Sequence, residues 1–232
     1  MDLAAEPAAD DKTRIRPAAT IILLREGASG PQVLMGMRGA AAAFMPSKFV
    51  FPGGAVDAVD ADVPLAALPA PDCLRRLGED APGASALAAA AIRELWEETG
   101  LPLGLPLGLP GHWEAPQGWR GFAARGLVPD GSALRFVFRA ITPPGRPRRF
   151  DARFFLADAA RLAGDPEDFS AACDELSHLQ WLPLGQARRL DLPFITEVVL
   201  AEVSALLANG EGSAGVPFFD NSGPVPTFRR LV

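Results

Sequence analysis

The chain has 232 residues, 49% of them hydrophobic and 22% charged, enough for a substantial core in one elaborated domain or two small ones. A formal net charge of −6 argues against a general nucleic-acid binder, and nothing resembles a membrane span of ~20 apolar residues. Cys73 and Cys173 stand far apart and outside any Cys-x-x-Cys spacing, which disfavours a disulfide framework or a zinc site. Residues 1–16 lack an apolar signal core and read as a flexible leader on a cytoplasmic protein.

Ala18 to Leu24 is a continuous apolar run rich in branched residues and predicts a buried strand. A Gly- and Pro-containing turn follows, then a second strand from Gln32 to Arg38, so 18–38 reads as a hairpin. Phe49 to Phe51 is a short strand running into Pro52-Gly53-Gly54, where paired glycines let backbone approach a ligand closely. Asp72 to Leu77 predicts a short helix, and Ser85 a cap for a longer one from Ala86 to Thr99, stopped by Gly100 and Pro102. The Leu-Pro-Gly repeats of 101–111 predict a packed loop, and 117–125 a short helix carrying Trp119 and Phe122. Strands are expected at 133–141, 153–157 and 179–182, with a polar loop at 164–172. Asp191 is expected to cap a helix that has Pro193 in its first turn and runs to about Leu207. The tail, 209–232, reads as irregular after a flexible break, and its aromatics predict docking on the body or on a partner subunit. Strands mixed with amphipathic helices imply an α/β or α+β sandwich, and the lack of a Gly-x-Gly-x-x-Gly motif disfavours a Rossmann fold.

The stretch Arg93 to Leu101 organises the rest. At about 100° per residue, Glu94, Glu97 and Glu98 share one arc of the helix, while Ala88, Ile92, Leu95 and Thr99 face a core on the opposite side. Like charges so close repel, so a cation is expected among them, and oxygen ligands favour Mg²⁺ or Mn²⁺. The competing reading is a solvated acidic face with Arg93 as a local ion-pair partner. His112 and His178 read as structural rather than catalytic.

Taken with Gly53-Gly54, this stretch resembles the Nudix hydrolase family, whose signature is G-x5-E-x7-R-E-U-x-E-E-x-G-U, with U aliphatic. Arg93, Glu94, Leu95, Glu97, Glu98, Gly100 and Leu101 match the second half at every specified position. The early glutamate of the signature corresponds to Asp60, and the stretch from Ala61 to Ile92 is longer than the family's spacing by about 25 residues. The box thus reads as split by an insertion, placed at about 61–84 within a domain of 17–208. Phe44-Met45-Pro46, Asp57, Thr142-Pro143-Pro144 and Arg149-Phe150-Asp151 resemble a branch that includes a peroxisomal coenzyme A diphosphatase, although Arg230-Leu231-Val232 is not a peroxisomal address.

The resemblance implies a Nudix-type α/β/α sandwich with a mixed sheet and metal-dependent hydrolysis of a nucleoside diphosphate linked to another moiety. It implies Glu94, Glu97, Glu98 and the Gly53 carbonyl as metal ligands, and Arg93 as the residue that orients them. Glu175 is the preferred base for water, with Glu94 its rival; Arg38 and Arg149 are candidates for the substrate phosphates. Trp113, Trp119 and Phe150 could stack on a base, though such aromatics are more often core. The branch resemblance implies coenzyme A or an acyl derivative as the small-molecule substrate, with ADP-ribose, dinucleotides and nucleotide sugars as alternatives. The alternative is a non-hydrolytic nucleotide-sensing module. A homodimer is the expectation from family habit.

Overall fold

The structure, a computed structural model, describes residues 14–42, 44–78, 82–108, 113–210 and 215–232. The apolar run of the N-terminal half becomes β1 (Ile15–Gly27), which turns at Gly30 (φ 103°) into β2 (Gly30–Arg38). Then come β3 (Phe49–Val50), β4 (Gly53–Ala55), a 3-10 turn at Ala58–Asp62, α1 (Pro71–Leu77) and the long helix α2 (Ala84–Thr99). β5 (Gly104–Pro106), α3 (Arg120–Ala124), β6 (Leu127–Pro129), β7 (Arg135–Ile141), β8 (Arg149–Asp158) and β9 (Leu176–Pro183) follow. The chain closes with α4 (Leu184–Ala187), α5 (Phe194–Asn209), β10 (Val216–Asp220) and β11 (Thr227–Leu231).

The main sheet runs β11-β10-β7-β8-β1-β2-β3, with β4 also on β1 and β9 also on β2. It is mixed: β1 lies parallel to β8 and β10 parallel to β7, while the other pairs are antiparallel. Side chains alternate across a strand with period two. On β1, Ala19, Ile21 and Leu23 therefore join the core under α2, while Ile22 and Leu24 join the core under α5. β8 repeats the division, with Phe155 and Ala157 on the α2 side and Phe154 on the α5 side. This is the α/β/α sandwich. Among the described residues no helix is long and apolar enough to cross a membrane.

Several boundaries differ from the sequence reading. β1 begins at Ile15, so the strand takes in the end of the expected leader; residues 1–13 lie outside the described residues. α2 starts at Ala84 with Gly83 in extended conformation as its N-cap, and Ser85 lies inside the first turn without capping. α5 is preceded by Pro193, not capped by Asp191, which instead pairs with Lys48 and accepts the Phe49 N–H through its carbonyl. Part of the expected 101–111 loop is strand: β5 pairs with β6 in a separate two-stranded sheet. His112 falls outside the described residues.

The largest difference is the tail. Far from irregular, β10 and β11 extend the main sheet, Phe218 pairing with Arg139 of β7. Phe218 is buried, with the guanidinium groups of Arg139 and Arg229 at 4.4 and 4.7 Å from its ring centre. Cation–ring attraction and burial together hold this pairing.

Candidate active site

The site is built where β4 and α2 meet. β4 pairs with the middle of β1, Gly53 opposite Thr20 and Gly54 opposite Ala19. That placement leaves no room for side chains. A Cβ on Gly53 would lie 2.7 Å from the Thr20 Cα, and one on Gly54 would lie 2.5 Å from the Glu94 carboxylate. Ala88 to Ile92 are fully buried, and the four alanines of that run let the α2 backbone approach the sheet closely. The helix ends at Gly100 in left-handed conformation (φ 74°), whose N–H donates to the Trp96 carbonyl at 2.8 Å.

Arg93 lies inside the site rather than on its surface. Its Nε donates to Asp60 Oδ1 at 2.9 Å and its Nη2 to Asp60 Oδ2 at 3.1 Å, a bidentate pair. Nη1 donates to Glu94 Oε1 at 2.9 Å and to Glu97 Oε2 at 2.8 Å, while Nη2 also reaches the Ala55 carbonyl at 2.9 Å. Asp60 is completely buried, and its Oδ2 also accepts the Asp57 N–H at 2.8 Å. Although 33 positions separate Asp60 from Arg93, the intervening chain leaves and returns without parting them.

The second half of the cluster surrounds Glu98. Its Oε2 accepts the Gly53 N–H at 2.8 Å, whereas its Oε1 is buried without a hydrogen-bond partner. Arg38, at the end of β2, extends Nη2 to the Gly53 carbonyl at 3.4 Å and to Glu175 Oε1 at 3.3 Å, and lies 3.9 Å from Glu98 Oε1. The loop bearing Glu175 is docked on α2, the Cys173 N–H donating to the Glu97 carbonyl at 2.8 Å. Glu175 itself is half-exposed.

The acidic face is therefore largely enclosed. Glu94 and Glu98 are buried and Glu97 is partly covered. A helical wheel assigns polar residues outward, but here the 3-10 turn, β4, the 171–173 loop and a second 3-10 turn at Gln117–Trp119 enclose that side too. Burial pushes the Glu94 carboxyl up to about 7, outweighing the pull of Arg93, with Glu97 adding to the rise. Burial also carries Glu98 well above the usual carboxylate range, Glu94 adding to the effect and the Gly53 N–H opposing it. Glu97 is raised mainly by burial, against Arg93. Burial opposes the charge on Arg93, but the hydrogen bonds and charges of Asp60 and Glu94 outweigh it and hold the guanidinium protonated.

A cleft of about 510 Å³ opens beside Arg93 and Glu97, lined also by Asp57, Val59, Gln117 and Gly118. A Cβ on Gly118 would come within 2.3 Å of Glu97 Oε1, so the 117–119 turn is pressed against the acid. Nothing in the linear motif signals this turn; its Gly118 is the one hint of a close approach.

Other candidates lie elsewhere. Arg149 donates to the Thr142 and Asn221 carbonyls at 3.0 and 2.8 Å and ties the β7–β8 turn to the tail. It pairs with Ile15 on β1, whereas Gly53 pairs with Thr20, which separates the two by roughly 16 Å of strand. Structure thus brings Arg38 to the acid cluster and not Arg149. Trp119 is fully buried and Trp113 donates to the Leu127 carbonyl, so both serve the core around α3. Phe150 packs edge-on against Phe44. His178 is exposed beside the Ser177 hydroxyl.

A family model described as the NUDIX domain matches residues 14–203. This chain belongs to the Nudix family. A Nudix hydrolase structure from Alicyclobacillus acidocaldarius is 30% identical, with a TM-score of 0.61, and the match covers 81% of this chain and 90% of that one. A Caenorhabditis elegans protein provisionally named nudix hydrolase 7 is 29% identical over 187 residues, 72% of this chain. The match spans about half, 51%, of that protein's length. A Caenorhabditis elegans Ap4A hydrolase binary complex is 18% identical with a TM-score of 0.47, covering 84% of this chain and 98% of that one, a likeness that carries nothing about substrate.

Nudix hydrolases generally use divalent metal ions, and the residues here fit one. The donors are all oxygen, the choice of a hard divalent cation. The unpaired Glu98 Oε1 and the raised Glu94 and Glu98 carboxyls mark acids whose charge Arg38 and Arg93 offset only in part. Among the described residues no three acidic, histidine or cysteine side chains converge as a finished ligand set, and Glu94 Oε1 and Glu97 Oε2 are turned onto Arg93. Loading such an ion requires these side chains to reorient.

Proposed function

We propose that this Nudix domain hydrolyses the diphosphate linkage of a nucleoside diphosphate joined to another moiety, with Mg²⁺ or Mn²⁺ as cofactor. The observation that carries the reading is Glu98: one oxygen fixed by the Gly53 N–H, the other buried and unpaired, with Glu94 beside it. Glu94, Glu97, Glu98 and the Gly53 carbonyl are the ligands for the ion. When bound, it offsets the diphosphate charge and lowers the pKa of the attacking water.

The chain's own residues do the rest. Arg93, fixed by Asp60, keeps Glu94 and Glu97 beside the site, from where they turn to the ion. Glu175, on the half-exposed side of the cluster, takes the proton from water, with Glu94 the alternative base. Arg38 contacts phosphate through its guanidinium. The resemblance to the coenzyme A diphosphatase branch makes coenzyme A and its acyl derivatives the first substrates to try. Retention of all three box acids favours catalysis over a nucleotide-sensing role.

The test incubates purified protein, in Mg²⁺ or Mn²⁺, with coenzyme A, ADP-ribose, NADH and diadenosine polyphosphates, and reads products by mass spectrometry. Cleavage at a diphosphate is expected, lost by at least about 100-fold in Glu97→Gln and Glu98→Gln. Metal-dependent binding of one compound without cleavage would instead establish a sensor. Light scattering on the same preparation reads the homodimer.

A further inference from the structure

Arg38 is the cation that the structure places, among the described residues, against the side of the acid cluster away from Arg93. Arg93 is locked: it meets four carboxylate or carbonyl groups at hydrogen-bond distance and belongs to the buried frame. Arg38 is held loosely. Its contacts are a long 3.4 Å bond to the Gly53 carbonyl, an ion pair at 3.3 Å to a half-exposed Glu175, and a 3.9 Å approach to Glu98 Oε1. Glu98 Oε1 is therefore near a positive charge yet lacks a hydrogen bond.

We infer that Arg38 is an exchangeable counter-ion: it competes with the divalent cation for the Gly53 carbonyl and Glu98, and on displacement it releases Glu175 and turns its guanidinium to the substrate diphosphate. The inference rests on the metal-dependent reading above. Its physical basis is simple. A guanidinium and a divalent ion cannot both sit against the Gly53 carbonyl and Glu98 Oε1 without strong repulsion at these distances. The weaker, better-solvated set of contacts is the one that yields. A freed guanidinium beside a diphosphate finds oxygens matched to its paired donors. Metal loading would thus also arm the substrate contact, so that diphosphate binds well only once the ion is in place.

The experiment measures Mn²⁺ binding to the full chain, stripped with EDTA and free of substrate, by the electron paramagnetic resonance signal of unbound Mn²⁺. Arg38→Ala is expected to bind Mn²⁺ about tenfold more tightly than the unaltered chain. Arg38→Lys, which keeps the charge but not the fork, should fall between. In protein labelled with ¹⁵N-arginine, the Arg38 Nε resonance, assigned by its loss in Arg38→Lys, should shift on Mg²⁺ saturation while that of Arg93 moves less. Equal Mn²⁺ affinity in Arg38→Ala and the unaltered chain overturns the exchange and leaves the hydrolase reading intact. Weaker binding in Arg38→Ala also overturns it, because Arg38 would then be building the ion site. A chain that binds no Mn²⁺ at millimolar concentration removes the metal-dependent reading itself, and the exchange with it.

Discussion

At the scale of single residues, Asp60 and Arg93 show how a buried ion pair is made tolerable. Both ends of Asp60 are satisfied, by two guanidinium nitrogens and the Asp57 N–H. Removing one partner leaves the other charged and enclosed, which costs about 3–5 kcal/mol. Asp60→Asn should lower the urea midpoint accordingly, and activity should fall with it as Arg93 loses its anchor. A variant as stable as the parent would show that Arg93 is held by Glu94 and Glu97 alone. Glu94 gives a second prediction. Its carboxyl lies at about 7 in the folded chain, against an ordinary 4.5. Between those values the folded state binds more protons than the unfolded state, so this group makes stability fall as pH rises through the window and level off above it. Urea melts in EDTA across the window should show that slope, and Glu94→Gln should lessen it, leaving the part that the raised Glu97 and Glu98 contribute.

Among elements, the fit of β4 against β1 and α2 is decisive. The two glycines are constrained by different neighbours. A Cβ at Gly53 would strike Thr20 Cα and the Ala19 carbonyl, at 2.7 and 2.8 Å, and backbone cannot step aside. Gly53→Ala should cost about 1–3 kcal/mol of stability and lose activity. At Gly54 the obstacle is the Glu94 carboxylate, the far end of a side chain that can swing. Gly54→Ala should therefore keep most of the thermal stability while losing activity about tenfold or more, because the swing moves a proposed ligand. Equal effects at both positions would contradict this division. Gly53 and Gly54 belong to β4, and Glu94, Glu97 and Glu98 to α2, which is why a linear signature identifies them. Gly118 and Arg38 come from other elements and carry no such spacing.

For the whole molecule, the C-terminal strands complete the sheet. β10 adds to β7 in parallel, Phe218 is buried, and Asn221 receives Arg149 through its carbonyl while donating to that of Ile141. Phe218→Ala should destabilise the chain by about 3–5 kcal/mol, read by denaturant unfolding, with little change in KM for a substrate that is cleaved. A large rise in KM with unchanged stability would place the tail at the substrate instead.

The sequence by itself determined the box: the Arg93 to Leu101 stretch with its glycine stop, the close-approach Gly53-Gly54 pair, β1 as a buried strand, and hence the family. These are local features, carried by spacing, periodicity and residues that only one conformation suits. Tertiary structure alone decided the rest. The wheel separated acids from core correctly as faces, yet most of the acidic face is shielded from solvent because segments distant in sequence cover it. The Asp60–Arg93 pair survives a long intervening stretch because contact depends on where the chain returns, not on how far it travels. The tail became strand because the β7 edge offers unpaired backbone groups, and Arg149 became a tie because the residues just past β7 and β10, Thr142 and Asn221, supply its carbonyls. Ladder pairing and burial are properties of two segments at once, and neither segment states them alone.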